Sequence, residues 1–377
     1  MVERRRFDLE NEVSTPSEPD NPDLLKSTEA PTPKQPPLPN DAGNPGSFGA
    51  DDGFQIAAGL TSAGYHPVVL FGNANSGKTS LLLSLISLIR TEPDLHCGLD
   101  LGEPVLNTDT PYGRYLRDQA EGFYGKKTQD FIEGKAAPKT AIEAPFFIPV
   151  VFRPEGKPEV RLAFMESNGE WYRPDRESDK LFPALRRQIE EFLSAFQEPV
   201  SFIHLLPYTQ QATYTSGTDQ YTDDSEINEA SLAIVGALKA YLDVRANKME
   251  DRHLMLVTKW DAHDKGEMDR VSVLQDSSDL ERFLSNRYNQ AFAFYRGMGL
   301  QSHQQQLATY CAGQMRGQSV IMPRRGEELH DALIEFPTRL WQWLYKTTLE
   351  QLGEQSLEPF PSQPRPHWFV RLLNRFF

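Results

Sequence analysis

The chain has 377 residues, which is long enough to bury a full core in one large α/β domain with insertions or in two ordinary domains. Its 53 acidic residues against 39 basic ones give a net charge of −14, which argues against a broad contact with a nucleic-acid backbone, so no nucleic-acid partner is expected. Two cysteines are too few for the disulfide framework of a secreted domain and fit a reducing cytosol, so we expect a cytoplasmic protein.

Residues 1–50 are rich in proline, acidic and other polar residues and poor in apolar ones. Such a composition cannot bury enough apolar surface to offset the entropy of ordering, so we predict a disordered tail. A docking segment for a protein partner is the alternative interpretation of the same composition.

The most informative segment is residues 72–79, whose sequence is a complete Gly-x-x-x-x-Gly-Lys-Thr phosphate loop. The apolar residues 66–71 before it suit a buried parallel strand, and the Leu-rich residues 80–89 after it suit a helix. Strand, glycine turn and helix therefore occur in the order that points a helix N-terminus at an anion.

In a loop of this kind the backbone N–H groups face the β-phosphate, the lysine contacts the β- and γ-phosphates, and the threonine hydroxyl binds Mg²⁺. We therefore predict binding of a nucleoside triphosphate with Mg²⁺, with Lys78 acting in catalysis and Thr79 in the metal site. The residues predicted to contact the nucleotide are Gly72, Asn73, Ala74, Asn75, Ser76, Gly77, Lys78, Thr79 and Ser80.

Strand and helix patterns alternate along residues 60–352, the predicted extent of the nucleotide-binding domain. The predicted elements, in chain order, are irregular polar structure over 91–140, a hairpin of strands 146–152 and 160–165, a helix over 181–196, a strand over 200–206, a polar loop over 208–225, a helix over 227–242, a strand over 254–257, a helix over 280–294, a last strand over 306–310 and a last helix from Pro337, in its first turn, to Leu352. With a phosphate loop at the first turn, this order predicts an α/β fold with a three-layer, doubly wound, mostly parallel sheet.

Thr258, Lys259, Trp260 and Asp261 follow an apolar strand and resemble the Asn/Thr-Lys-x-Asp motif by which GTPases recognise guanine. A carboxylate accepts from both the N1–H and the exocyclic amine of guanine, whereas adenine presents an acceptor at that position. The aliphatic stem of Lys259 can lie along the base. The alternative is an ordinary turn at a strand end, in which case the chain is an ATPase that shares the phosphate loop.

Two further segments occur in the order that GTPase motifs require. Cys311 and Ala312 follow the predicted last strand and resemble the Ser/Cys-Ala motif whose backbone N–H groups meet the guanine O6. Residues 166–170 read Glu-Ser-Asn-Gly-Glu and stand where GTPases carry Asp-x-x-Gly.

That second likeness implies a role for three residues. Glu166 would hold Mg²⁺ through water, the Gly169 amide would sense the γ-phosphate, and Glu170 would position the attacking water. Because Glu replaces Asp at position 166, the rate of hydrolysis is in question. A threonine of the first switch segment also binds the metal in that family; Thr140 is best placed for this role, with Thr128 and Thr110 behind it.

Together these motifs resemble the translation-factor-related (TRAFAC) class of phosphate-loop GTPases. A narrower likeness, to bacterial double-GTPase-like domains of signalling and conflict systems, rests on the phosphate loop, on residues 166–170 and 258–261, and on Phe336-Pro337 leading into a Trp-rich helix. The resemblance implies binding of GTP and GDP with Mg²⁺, slow GTP hydrolysis and a switch-like response. A nucleotide-gated scaffold with little turnover is the alternative.

Residues 353–377 are predicted to be a linker followed by a short amphipathic tail. Residues 368–377 combine aromatic and leucine side chains with Arg371 and Arg375, which are four positions apart. Such a segment suits a membrane surface or a groove on a protein partner. The alternative is a tail that folds back onto its own domain.

Overall fold

The computed structural model describes residues 57–73, 76–91, 98–99, 111–135, 146–153, 157–166, 190, 193–208, 220–245, 250–260, 277–316, 319–321, 328–351 and 353. The predicted N-terminal tail and almost all of the predicted C-terminal segment lie outside these residues. The three predicted segments, 1–50, 60–352 and 353–377, therefore stay predictions. Within the described ranges, none of the helices is both long and apolar enough to cross a bilayer.

A mostly parallel sheet of seven strands forms the centre of the described structure, in the order β2-β3-β4-β1-β5-β6-β7. β4, β1, β5, β6 and β7 run parallel, whereas β3 is antiparallel to both β4 and β2. The strands are β1 (Tyr65–Phe71), β2 (Gly98–Leu99), β3 (Phe146–Phe152), β4 (Val160–Glu166), β5 (Ser201–Pro207), β6 (Arg252–Thr258) and β7 (Gln305–Thr309).

The central strands are buried along their whole length, because every residue of β1 and of β5 is shielded from solvent. Near-continuous apolar runs are typical of parallel strands that are covered on both faces, which is why the sequence predicts these strands well. The predicted hairpin of β3 and β4 is confirmed by seven antiparallel register pairs.

Helices contact both faces of the sheet. They are α1 (Lys78–Thr91), α2 (Pro111–Gly122), α3 (Thr128–Ile132), α4 (Gln220–Arg245), α5 (Ser277–Arg287), α6 (Asn289–Arg296) and α7 (Glu328–Gln351), with a π-helical segment at Phe123–Lys127 between α2 and α3. Val68 is the register partner of Phe164, and Val69 is the partner of Phe202, so the two phenylalanines lie on opposite faces. The ring of Phe202 contacts α4, and the ring of Phe164 contacts α7.

The structure corrects three predictions about local structure before the last helix. Residues 91–140 are not irregular throughout, because α2, the π-helical segment and α3 together span Pro111–Ile132. The predicted loop over 208–225 ends earlier, since α4 begins at Gln220. β7 is not the last strand, because Gln314–Arg316 (β8) and Ser319–Ile321 (β9) form an antiparallel hairpin after it.

The prediction that Pro337 opens the last helix is also wrong. α7 begins at Glu328, and Pro337 lies inside it. Proline in a helix interior removes one backbone hydrogen bond. The packing of this helix outweighs that cost, since Phe336 and Trp341 are almost fully buried and the Trp341 indole donates to the Leu85 carbonyl of α1.

A buried ion pair lies near the amino ends of β5 and β6 and holds the chain where these strands begin. The buried guanidinium of Arg245, at the end of α4, donates to both carboxylate oxygens of Asp251 at 2.9 Å. The same guanidinium donates to the carbonyls of Leu193 and Phe196, and Asp251 accepts from the Val200 N–H. This network satisfies a buried charge pair that would otherwise be costly.

Candidate functional site

The phosphate loop follows β1, the strand whose two neighbours are added to the sheet on opposite sides. After β1, the chain forms β4 on one side of it and later β5 on the other, and both run parallel to β1. In open α/β sheets, ligands bind beyond the carboxyl ends of the strands at such a switch point. Gly72 directly follows β1, so the loop begins at this position.

Only glycine fits at position 72. A Cβ atom there would lie 2.3 Å from the Ser76 hydroxyl oxygen, 2.8 Å from the Ser76 Cβ and 3.1 Å from the Leu205 carbonyl oxygen. These contacts are shorter than van der Waals separation, so the backbone of β1 and the end of the loop approach each other more closely than any side chain permits.

Hydrogen bonds within the loop lead directly into the helix. The Ser76 hydroxyl donates to the Asn73 carbonyl at 2.9 Å, and the Ser76 N–H donates to the same carbonyl at 3.2 Å. Gly77 has a φ of 86°, in the left-handed region, which lets the chain turn into α1. The Leu81 N–H donates to the Gly77 carbonyl, which places the start of the helical bonding at the loop.

The ammonium of Lys78 is held against the loop and is almost fully buried. It donates to the Gly72 carbonyl at 2.7 Å and to the Asn73 carbonyl at 2.9 Å. The hydrogen bonds to these two carbonyls offset part of the free-energy cost of removing the ammonium from water. The positive charge is thus fixed at the N-terminus of α1, where unsatisfied N–H groups add to a positive potential.

Thr79 and Ser80 occupy the first turn of α1 and are both partly exposed. Their hydroxyls are oxygen ligands of the kind that Mg²⁺ prefers. A buried ammonium, a hydroxyl and a helix N-terminus at one strand end form a donor set that suits a polyphosphate with a magnesium ion.

A side-chain hydrogen bond joins the phosphate loop to the predicted base-recognition motif. The buried hydroxyl of Thr258, the last residue of β6, donates to the Ser76 carbonyl at 2.7 Å. A Cβ atom on Gly77 would lie 3.7 Å from Thr258, so the two segments are in van der Waals range. The structure therefore brings together two motifs that the sequence predicts to share one site.

The residues after Thr258 have contrasting environments. Lys259 is exposed and has a φ of 56°, the one positive value among the non-glycine residues that the structure describes. Trp260 is buried, and its ring makes edge contacts with Tyr208 and Phe283. Packing of Trp260 thus leaves the Lys259 side chain on the solvent side of the turn.

The end of β7 lies beside the end of β6. The Tyr310 N–H donates to the Val257 carbonyl at 2.7 Å, and the Trp260 N–H donates to the Tyr310 carbonyl at 3.2 Å. Cys311 is buried, and Ala312 is partly exposed. The structure thus places Cys311 and Ala312 next to the segment that begins at Thr258.

Glu166 is the last residue of β4, the strand beside β1, so its backbone lies at the carboxyl edge near the phosphate loop. The side chain of Glu166 lies outside the description. The predicted site residues that fall wholly outside the described residues are Ala74, Asn75, Thr110, Thr140, Gly169, Glu170 and Asp261.

Thr128 is excluded as a switch-segment ligand of the metal. It is fully buried at the start of α3, and its hydroxyl donates to the Phe123 carbonyl at 2.9 Å across the π-helical segment. Within the described ranges, no group of three or more His, Cys, Asp or Glu side chains is arranged to hold a metal ion. A magnesium site here would depend on the predicted ligands Thr79, Glu166 and Thr140 and on phosphate oxygens.

Sequence reasoning missed the contacts that hold the three strand ends in place. The Tyr208 N–H donates to the Thr258 carbonyl at 2.7 Å, which joins the end of β5 to the end of β6. The Tyr310 hydroxyl is hydrogen-bonded to Ser84 of α1. A buried serine six residues after the loop lysine carries no signal by itself, because its partner lies 226 positions later.

No family model and no curated protein matches the sequence. Among solved structures, the chain is similar to the GTPase-like domain of Ski7 from S. cerevisiae in a crystal structure with bound GTP. The identity is 11 % and the TM-score 0.32; the match covers 79 % of this chain and 52 % of that chain, so this chain spans about half of that structure. A likeness at this level carries no functional argument.

Proposed function

We propose that this chain binds GTP with Mg²⁺ and hydrolyses it slowly, as a molecular switch. The observation that carries the proposal is the hydrogen bond from Thr258 to the carbonyl of Ser76, because it joins a phosphate loop to a guanine-type recognition motif. A phosphate loop alone is shared by ATPases and GTPases. Its contact with the Thr-Lys-Trp-Asp segment favours guanine over adenine.

The residues present suit the polyphosphate and the metal. The position of Gly72 lets the loop fold tightly on β1, and the Lys78 ammonium lies at the N-terminus of α1. Thr79 and the switch-segment Thr140 would bind Mg²⁺ directly, and Glu166 would hold it through water. When bound, Mg²⁺ neutralises negative charge on the phosphate oxygens as the terminal phosphoryl group leaves.

The protein side chains would act mainly through charge and position. Lys78 stabilises negative charge that grows on the bridging and γ-phosphate oxygens, and Asp261 selects the base. Glu170 would orient the water that attacks in line with the leaving oxygen, helped by the Gly169 amide on the γ-phosphate. Helices on both faces of a mostly parallel sheet support the finer assignment to a three-layer, doubly wound, Ras-like fold of the TRAFAC class.

A binding panel with purified full-length protein tests the base preference. Titration with Mg-GTP, Mg-GDP, Mg-ATP and Mg-XTP is expected to give the tightest binding for the guanine nucleotides. A site that hydrogen-bonds one base strongly disfavours a different base that leaves the polar groups of the site without partners. The expected preference for GTP over ATP is therefore at least about 100-fold. Equal affinity for ATP and GTP would instead favour the alternative interpretation, an ATPase that shares the phosphate loop.

A second candidate function is a nucleotide-gated scaffold that binds GTP with little turnover. Glu166 favours it, because GTPases carry aspartate there and the longer glutamate side chain would reach the metal's water shell from a different position. Single-turnover release of phosphate from bound GTP separates the two. Release within minutes to hours supports the switch enzyme, and Glu166→Asp is then expected to accelerate it; no release over days supports the scaffold.

The remaining proposals concern cellular context. A cytoplasmic position, a bacterial signalling or conflict system, and a protein partner that binds residues 1–50 or 353–377 are all compatible with the chain's composition. Residues 368–377 are proposed to contact a membrane surface or that partner. Flotation with anionic lipid vesicles, comparing the full chain with a variant that ends at residue 367, tests the membrane contact.

A further inference from the structure

The side chain of Tyr310 connects the two ends of the candidate nucleotide site. Its ring is buried, makes an edge contact with Phe336 of α7, and places its hydroxyl on the Ser84 hydroxyl of α1. α1 is the helix whose first turn carries Lys78. The residue that immediately follows Tyr310 is Cys311, at the predicted guanine O6 contact.

The direction of this hydrogen bond is fixed by the surrounding acceptors. Ser84 donates its own proton to the Leu81 carbonyl at 2.8 Å, so the Ser84 oxygen accepts from the Tyr310 hydroxyl. Burial raises the pKa of the Tyr310 hydroxyl above its ordinary value, so this group stays protonated and remains a donor.

The backbone of Tyr310 is held by β6. Its N–H donates to Val257, and its carbonyl accepts from Trp260, on either side of Thr258. The side chain therefore anchors this backbone to the phosphate-loop helix, while the backbone itself borders the base-recognition motif. Movement of Tyr310 relative to α1 would shift the N–H groups of Cys311 and Ala312 relative to the phosphates.

We propose that Tyr310 is a positioning residue that sets the distance between the phosphate loop and the N–H groups that recognise the 6-oxo group of guanine. This inference rests on the proposed function of the site. Loss of the Tyr310–Ser84 bond leaves the phosphate loop intact, because Lys78 and Thr258 hold it independently. The loss weakens recognition of the base and leaves recognition of the polyphosphate unchanged.

The test compares Tyr310→Phe and Ser84→Ala, which remove the same hydrogen bond from opposite sides. Mg-GTP, Mg-ATP and Mg-tripolyphosphate are titrated into the full-length proteins. A buried hydrogen bond of this kind contributes on the order of threefold to tenfold in an equilibrium constant. Each variant is therefore expected to lower the GTP-to-ATP affinity ratio by about that factor, with no change for tripolyphosphate, and the double variant is expected to lose no more than either single variant.

Tyr295→Phe is the matched control. Tyr295 is also a buried tyrosine, and its hydroxyl lies within hydrogen-bond distance of the carbonyls of His253 and Gln306, away from the phosphate loop. This variant is expected to lose stability and keep the wild-type affinity ratio. If Tyr310→Phe fails to fold, Ser84→Ala decides the question.

An unchanged ratio in the folded variants would overturn the inference, and so would an equal loss of GTP and tripolyphosphate affinity, which marks general weakening of the site. Failure of wild-type protein to bind GTP would instead overturn the proposed function, so the two failures are distinguishable.

Discussion

The side-chain hydroxyl of Thr258 donates a hydrogen bond of 2.7 Å to the backbone carbonyl of Ser76, although the two residues are 182 positions apart. The bond crosses from the end of β6 to the phosphate loop after β1, with β5 between the two strands. Both residues are almost fully buried. The segment that begins at Thr258 and the phosphate loop are thereby held together.

Thr258→Ala is expected to weaken GTP binding and to lower the free energy of unfolding by about 1–3 kcal/mol, because it removes a buried donor that Ser76 uses. Thr258→Ser keeps the hydroxyl and serves as the control, with a smaller loss in both quantities. Urea unfolding and nucleotide titration of the two variants measure the difference. Equal behaviour of the alanine and serine variants would contradict a role for the hydroxyl.

Gly72→Ala is expected to abolish nucleotide binding and to destabilise the fold by about 1–3 kcal/mol, since the added methyl group would meet Ser76 and the Leu205 carbonyl. Gly122→Ala is the matched control. Gly122 lies in α2, and apart from its chain neighbours and its own helix backbone no atom lies within 4 Å of an added Cβ, so alanine there is expected to be neutral or stabilising by up to about 1 kcal/mol. Full GTP affinity in Gly72→Ala would show that the close approach is not required.

Asp261→Asn is expected to shift the preference of the site from GTP toward XTP, because an amide complements the 2-oxo group of xanthine where a carboxylate complements the guanine amine. The role of Asp261 follows from the resemblance to the GTPase motif, since this residue lies outside the described structure. Competition titrations with both nucleotides give the measurement. GTP selectivity that is unchanged in the variant would refute the base-recognition role.

The fold is expected to lose stability below about pH 6.5, where unfolded histidine becomes charged. Burial lowers the pKa of His66 and of His204 to about 3, and it lowers that of His253 well below the ordinary value. Because the unfolded chain then binds more protons than the folded chain, the free energy of unfolding falls as the pH falls from 6.5 toward 3. The expected loss between pH 7 and pH 5 is on the order of 2 kcal/mol for each of His66 and His204.

His66→Gln separates this contribution from other acid effects. The imidazole of His66 is hydrogen-bonded to the Ser201 hydroxyl at 2.9 Å, and a glutamine amide can replace that bond without titrating. The variant is expected to lose about 2 kcal/mol less than wild type between pH 7 and pH 5. Parallel pH profiles for the two proteins would contradict this account.

Much of the fold could be predicted from the sequence because its buried parallel strands are short apolar runs between polar segments. β1, β5 and β6 fall where the apolar runs place them, and the hairpin of β3 and β4 follows from two apolar runs separated by a Pro- and Gly-containing turn. Phosphate-loop chemistry follows from a motif whose residue types and spacing are dictated by the anion.

The errors arise where tertiary packing outweighs local signals. α2 is mostly polar in composition, but it is an amphipathic helix that buries Leu116 and Ala120. Pro337 lies inside α7, where the neighbouring residues Phe336 and Trp341 are buried. Contacts between distant residues, such as Tyr310 with Ser84, have no local pattern at all. Thr128 has the residue type of a metal ligand, but its burial in α3 could not be read from residue type alone.

Calorimetric titration of Mg-GTP into wild-type protein and Lys78→Ala tests the central claim most directly. Lys239→Ala, at an exposed position on α4, controls for the loss of one positive charge. Wild type and the control are expected to bind GTP with similar affinity, and Lys78→Ala is expected to show no measurable binding, because the buried ammonium at the phosphate loop is then lost. Equal GTP affinity in all three proteins, or no binding by any of them, would contradict the account.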